Sequence, residues 1–190
     1  MKRIGITLMV GALLLALSAS VALAVSKNGG PGDDTLLGTN GSDVLYGEGG
    51  DDTLRGLSGS DQLSGGLGGD AVEGGAGQDL ATGGPGRDLV RGGAGQDLPT
   101  ETSEGGVYGG LGNDKVRGLE GTDLVVGGAG NDAIYGGSGN DFLDGATKGG
   151  NDANLEESKD HIYCGDGRDS VQANTFDSVA PDCERVQRVE

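Results

Sequence analysis

The 190-residue chain sets 30 acidic against 13 basic residues, a formal net charge of −17, and contains 43 glycines, 3% aromatic residues and no Trp. A chain this negative repels nucleic acid and anionic membranes, and so few rings give no stacking platform for single strands. It also has too little bulky side chain for an ordinary globular core of this length, so burial alone cannot offset the entropy of ordering it.

At the N-terminus, Lys2 and Arg3 precede an apolar run from Ile4 to Leu17, and the small-residue sequence Ala22, Leu23, Ala24 closes it. This is the tripartite pattern of a secretory signal peptide spanning 1–24, with cleavage after Ala24. The apolar run is shorter than the ~20 residues a spanning helix needs, and no later stretch could span a membrane. The expectation is an exported protein, extracellular or in the cell envelope, with no membrane span in the mature chain. Cleavage would leave 11 basic against 30 acidic residues, about −19.

From Gly29 the chain falls into rows of nine: GGPGDDTLL, GTNGSDVLY, GEGGDDTLR, GLSGSDQLS, GGLGGDAVE, GGAGQDLAT, GGPGRDLVR and GGAGQDLPT, ending at Thr100. After a break, GGLGNDKVR, GLEGTDLVV, GGAGNDAIY and GGSGNDFLD run from Gly109 to Asp144. Asp holds the sixth position of all twelve rows, and glycine the first and fourth. A phase kept this strictly is the signature of a solenoid whose single repeat cannot bury its own apolar face. Positions one to six read as a glycine-rich turn and seven to nine as a three-residue strand. The eighth position carries Leu36, Leu45, Leu54, Leu63, Val72, Ala81, Val90, Val116, Val125, Ile134 and Leu143, so alternation points one aliphatic side chain per row inward. Positions seven and nine, such as Thr35, Arg55, Lys115 and Arg117, then face water, and two rows make one eighteen-residue coil with a strand on each side.

These rows resemble the hemolysin-type (RTX) calcium-binding nonapeptide repeats of secreted toxins and serralysin-like proteases, whose pattern is G-G-x-G-x-D-x-U-x. The resemblance covers Gly29 to Asp144 and returns in CGDGRDSVQ from Cys164 to Gln172. It implies an all-β fold, a right-handed parallel β-roll over 25–144, holding several Ca²⁺ ions between turns stacked one coil apart. The residue chemistry agrees, because calcium takes six to eight oxygens from carboxylates and backbone carbonyls. Same-side turns lie two rows apart. Asp34, Asp52, Asp70 and Asp88 would form one column of ligands and Asp43, Asp61, Asp79 and Asp97 the opposite one. Asp114, Asp123, Asp132 and Asp141 would form similar columns after the break, and Asp169 falls at the matching place of the last clear row. Carbonyls of Gly30, Gly32, Gly41, Gly50, Gly59, Gly68, Gly77 and Gly86 are candidate further ligands. Carboxylates ~4.8 Å apart repel, so a divalent ion between each pair would convert repulsion into folding free energy. Counted as gaps between turns, roughly eight to twelve ions are expected.

The pattern breaks twice. Pro99 takes the core-facing place of the eighth row, and Glu101 to Tyr108 is one residue short and lacks its Asp, so a kink near 98–108 is expected with Val107 restoring the core. From 145 to 159 the spacing is lost in a polar stretch read as a surface loop. Segments DHIY, DSVQ and DSVA, at Asp160, Asp169 and Asp177, read as degenerate coils forming a cap over 160–190. The two cysteines, Cys164 and Cys183, are expected to form one disulfide in an exported chain.

No Gly-rich run has the strand and helix context of a nucleotide site, and the single histidine, His161, has no phased partner for a zinc site or a catalytic dyad. No nucleophile, base and oxyanion arrangement is present, so catalysis is not expected. The leading reading is a secreted, non-catalytic calcium-binding repeat protein that folds on binding the ion. The competing one is a structural or adhesive surface protein that calcium merely stiffens.

Overall fold

The computed structural model describes residues 23–98, 105–145 and 158–189. Residues 1–22, which fall within the expected signal peptide, Pro99 and most of the polar stretch after Gly145 lie outside them. Among the described residues there are seventeen strands and no helix, and so none long and apolar enough to cross a membrane. The odd-numbered strands pair side by side in one parallel sheet: β1 (Ser26–Gly30), β3 (Val44–Gly49), β5 (Gln62–Leu67), β7 (Leu80–Gly86), β9 (Gly106–Gly112), β11 (Leu124–Ala129), β13 (Phe142–Asp144), β15 (Ser170–Ala173) and β17 (Arg185–Arg188). The even-numbered strands make the second: β2 (Thr35–Leu37), β4 (Thr53–Ser58), β6 (Ala71–Gly77), β8 (Leu89–Gly95), β10 (Lys115–Gly121), β12 (Ala133–Gly139), β14 (His161–Gly167) and β16 (Ser178–Val179). The chain alternates between the sheets at every turn, which is a parallel β-roll with two repeats per coil.

The core is a pair of aliphatic stripes, one per sheet. Leu45, Leu54, Leu63, Val72, Ala81, Val90, Val107, Val116, Val125, Ile134, Leu143, Ile162 and Val171 are all buried, and each is the eighth residue of its row or that row's equivalent. Strand alternation turns positions seven and nine outward.

Most strands are longer than the three residues that the repeat suggests. In β4 and β6, Thr53, Leu54 and Arg55 pair with Ala71, Val72 and Glu73, and pairing then continues from Leu57 and Ser58 to Gly75 and Ala76. The glycine-rich half of each row also carries N–H and C=O groups, and the next coil offers partners in the same register. The bend is accommodated by positive φ at positions two and four, for example 123° at Gly75 and 140° at Gly77. Four rows place a side chain at position two, and in three of them Glu48, Leu57 and Leu119 hold φ of 79°, 86° and 95°. These left-handed residues store strain that glycine would avoid.

The first break is an insertion within a row. Gly106, Val107 and Tyr108 pair with Leu80, Ala81 and Thr82, so they are the strand that follows the Gly92–Asp97 turn, although eight residues separate the two in sequence. Val107, fully buried, fills the core place that Pro99 would hold if the row ran uninterrupted. Beyond the second break the same two sheets continue, with His161, Ile162 and Tyr163 in register with Ala133, Ile134 and Tyr135.

Both ends are distinctive. Lys27 occupies the core-facing place of β1, and its ammonium donates to the Leu37 carbonyl. At the other end Cys164 and Cys183 form a disulfide with Cα atoms 5.2 Å apart, joining β14 to the segment before β17.

Candidate metal centre

The sixth residue of each row ends the turn, and its backbone is tied to the next coil. The carbonyl of Asp52 accepts from Ala71 N–H (2.8 Å), while its own N–H donates to Asp70 Oδ1 (2.8 Å). One carboxylate oxygen thus stands in for a main-chain acceptor where the chain reverses.

This contact repeats along two lines. On one side Asp34, Asp52, Asp70, Asp88, Asp114, Asp132, Asp160 and Asp177 are linked in order, each N–H to the next Oδ1, at 2.8 to 3.0 Å. On the other side the line runs Asp43, Asp61, Asp79, Asp97, Asp123, Asp141 and Asp169, ending on Glu184 Oε2 at 2.7 to 3.0 Å. Sequence steps of 26 across the first break and 28 across the second replace the usual 18, and neither line is interrupted. All thirteen aspartates singled out from the repeats lie on these lines. Asp160, Asp177 and Glu184 join them, although the spacing around the breaks concealed their membership. A D-x-aliphatic triplet marks Asp160 (DHI) and Asp177 (DSV), and Glu184 has the same form with the other acid (ERV).

Apart from Asp34, the aspartates in the lines are buried, with relative exposures from 0 to 6%. In twelve of them, from Asp52 to Asp169, Oδ2 meets no hydrogen-bond donor. In eleven of them, all but Asp169, whose row begins with Cys164, that oxygen lies against the first glycine of its own row. A Cβ on Gly74 would sit 2.6 Å from Asp79 Oδ2 and 2.7 Å from the Gly92 carbonyl oxygen, so the invariance of glycine at position one follows from space.

The candidate glycine carbonyls stack along the same turn edges. A Cβ added to Gly77 would fall on the Gly59 carbonyl oxygen, and one added to Gly86 on that of Gly68, so these oxygens stand between consecutive turns. Gly32 lies beneath Gly50 and Gly41 beneath Gly59 in the same way, while Gly30 belongs to the first turn with φ of 142°.

Burial raises these acids. Loss of hydration pushes Asp88, Asp97 and Asp141 up to about 7 and Asp160 to about 8, with neighbouring carboxylates adding to the shift and the backbone hydrogen bond opposing it. Asp79, Asp114 and Asp132 rise to about 6 for the same first reason. A buried carboxylate with one oxygen unsatisfied is costly unless a proton or a cation meets it.

Among the described residues no three His, Cys, Asp or Glu side chains converge on one point. The carboxylates instead meet in pairs along each line, so any ion held there must complete its shell with main-chain carbonyls. That donor set, all oxygen with few charges per ion, suits calcium rather than zinc.

The family model of the RTX calcium-binding nonapeptide repeat, in four-copy form, matches residues 28–63, 64–99 and 107–146. The chain belongs to that family. Its RTX segments cover both lines of aspartates up to Asp141, and the interval between the last two matches, residues 100–106, falls at the first break in the repeat. No curated protein matches the chain.

Proposed function

We propose that the protein is a secreted, non-catalytic calcium-binding module whose folding is driven by ions held between successive turns. The observation that carries this reading is the double row of buried Oδ2 atoms without donors. Hydrogen bonding to the next turn needs only Oδ1, which Asn would supply as well as Asp. A charged oxygen beside it, kept in twelve buried turns, is explained by a cation.

The proposed ligands are the carboxylates of Asp34, Asp43, Asp52, Asp61, Asp70, Asp79, Asp88, Asp97, Asp114, Asp123, Asp132, Asp141 and Asp169, joined by Asp160, Asp177 and Glu184. Backbone carbonyls of the turn glycines complete the set. Each line of eight acids has seven gaps, which sets the upper bound on the ions held. Calcium would supply positive charge between carboxylates that otherwise repel, and binding free energy then becomes folding free energy. Export fits the N-terminal pattern of residues 1–24 and the disulfide, which persists in oxidising compartments.

The test is far-ultraviolet circular dichroism of the mature chain titrated from excess chelator. Cooperative gain of β signal is expected at 10⁻⁴ to 10⁻³ M calcium, typical of extracellular modules, with magnesium substituting poorly because it keeps its waters. Full β structure in chelator at neutral pH, unchanged by calcium, would refute the proposal.

A further inference from the structure

The outward places seven and nine of the two sheets differ in charge, while nearer the turns the even-numbered strands also carry Glu120 and Asp166 and the odd-numbered ones Glu48. At the outward places seven and nine of the odd-numbered sheet, the formal charges among the described residues are Asp144 and Arg185. On the even-numbered sheet the same places hold Arg55, Arg91, Lys115 and Arg117, against one carboxylate, Glu73. A chain of net charge −17 has therefore sorted a block of its cations onto one face.

Folding does not account for this arrangement. Arg55 pairs with Glu73 at 3.5 Å, the one ion pair among the described residues. Arg91 and Arg117 stand directly opposite each other in neighbouring coils, where like charges destabilise a sheet. The ladder continues from Arg117 to Tyr135 and Tyr163. Arg117 and Lys115 lie 5.2 and 5.4 Å from the Tyr135 ring centre, and the two tyrosines stack at 4.9 Å, leaving the outer edge of Tyr163 exposed.

We infer that this face binds an acidic polysaccharide, with Arg91, Lys115 and Arg117 meeting its carboxylate or sulfate groups and Tyr163 meeting a sugar ring. The cations stand in a row along a rigid ladder with ~4.8 Å between coils, which suits an extended linear polyanion. Arg is suited to oxyanion recognition by its planar fork of donors. Single-stranded nucleic acid is the competing polyanion, but successive bases need successive rings, and this row offers one exposed ring, Tyr163, since both faces of Tyr135 are covered. The inference rests on the calcium reading only in that the face exists once the roll has folded.

The test is binding of the calcium-loaded mature chain to immobilised dextran sulfate at low ionic strength. Uncharged dextran, polyglutamate and single-stranded DNA serve as the comparison ligands. Circular dichroism in the same buffer confirms that each variant folds, which separates failure of this inference from failure of the calcium reading. Dextran sulfate is expected to bind, to lose affinity as salt is added, and to bind the triple variant Arg91→Gln, Lys115→Gln, Arg117→Gln at least tenfold more weakly. The opposite-sheet variant Arg185→Gln, Arg188→Gln should stay within about twofold of the parent. Should the triple variant not fold, Arg91→Gln alone, at a residue without an ion pair, should lose about threefold. Absence of dextran sulfate binding, equal binding of any comparison ligand, or an equal loss in the opposite-sheet variant would overturn the inference.

Discussion

Acid should do part of what calcium does. The acids Asp79, Asp88, Asp97, Asp114, Asp132, Asp141 and Asp160 are raised in the metal-free roll to values between about 6 and about 8, mainly by burial, against 3.8 in the ordinary state. Between those limits the folded state binds more protons than the unfolded chain. The associated stability is therefore complete below about pH 4 and is lost as pH rises through 6 to 8. Moving from pH 8 to pH 5 returns roughly one to three pKa units per group at ~1.4 kcal/mol each. Even after discounting for coupling between neighbours, the total is on the order of 10 kcal/mol, comparable with the whole stability of an ordinary domain. In chelator at pH 8 the chain should be unfolded, and at pH 5 it should recover β structure without calcium. Circular dichroism with sedimentation velocity checks this, the latter because the isoelectric point is near 4.2 and association must be excluded. A chelated chain equally folded at pH 8 and pH 5, or unfolded at both while calcium still folds it at pH 8, would refute the claim that buried carboxylate charge holds the metal-free state open.

Three substitutions probe separate parts of the argument. Asp61→Asn keeps an oxygen for the Asp43 N–H but removes the charge, so calorimetry should show weakened calcium binding next to that turn with distant turns still filled, and chelated stability should rise. Leu57→Gly, which relieves a φ of 86° at a 41%-exposed site, should stabilise the calcium-loaded roll by about 1 kcal/mol in thermal unfolding. Leu63→Ala, at a buried core place, should cost about 2–5 kcal/mol by the same measurement. Reducing the Cys164–Cys183 bridge, which closes a loop of 19 residues, should lower stability by about 3 kcal/mol, and mass spectrometry of the unreduced protein should find no free thiol.

The repeat was legible because its constraints are local to nine residues. Leu45 or Val116 can be placed in the core by counting, and so can Asp61 two rows from Asp79. What counting misses is set by pairing between coils. Strands such as β10 run on through Leu119 and Glu120 because their partners in β8 and β12 supply hydrogen bonds there, which no property of those two residues announces. Residues 101–108 looked like a short row because a row was assumed to be contiguous. In the fold, Gly92–Asp97 and Gly106–Tyr108 are halves of one row, recognisable only by where Val107 packs. Asp160 and Asp177 were recognisable as the starts of degenerate coils but not as members of these lines, and Glu184 was missed, since their phase is counted from the far side of an insertion. The inward aim of Oδ2 against the first glycine was not legible either, because Asp is equally at home in an exposed turn.

The lines end where the protein itself begins to replace the missing donor. At the second row Thr39 takes the place of the second glycine, and its N–H reaches Asp43 Oδ2 at 2.5 Å. At the last aspartate of the other line, Asn174 N–H meets Asp177 Oδ2 at 2.7 Å. Neither oxygen is among those left without a partner. The contrast between these ends and the twelve turns between them is informative, because a side chain or a local N–H could have been recruited at any row simply by replacing or shifting a residue at position two. Interior rows instead keep glycine there, or hold Leu57 and Leu119 in left-handed strain, and leave Oδ2 open. Each interior turn is also bonded to the carboxylate of the next, so satisfying one of these oxygens orders the neighbour's acceptor as well. A linear array coupled in this way is expected to fill cooperatively, with the self-satisfied ends bounding the part of the roll that the proposed ions would complete.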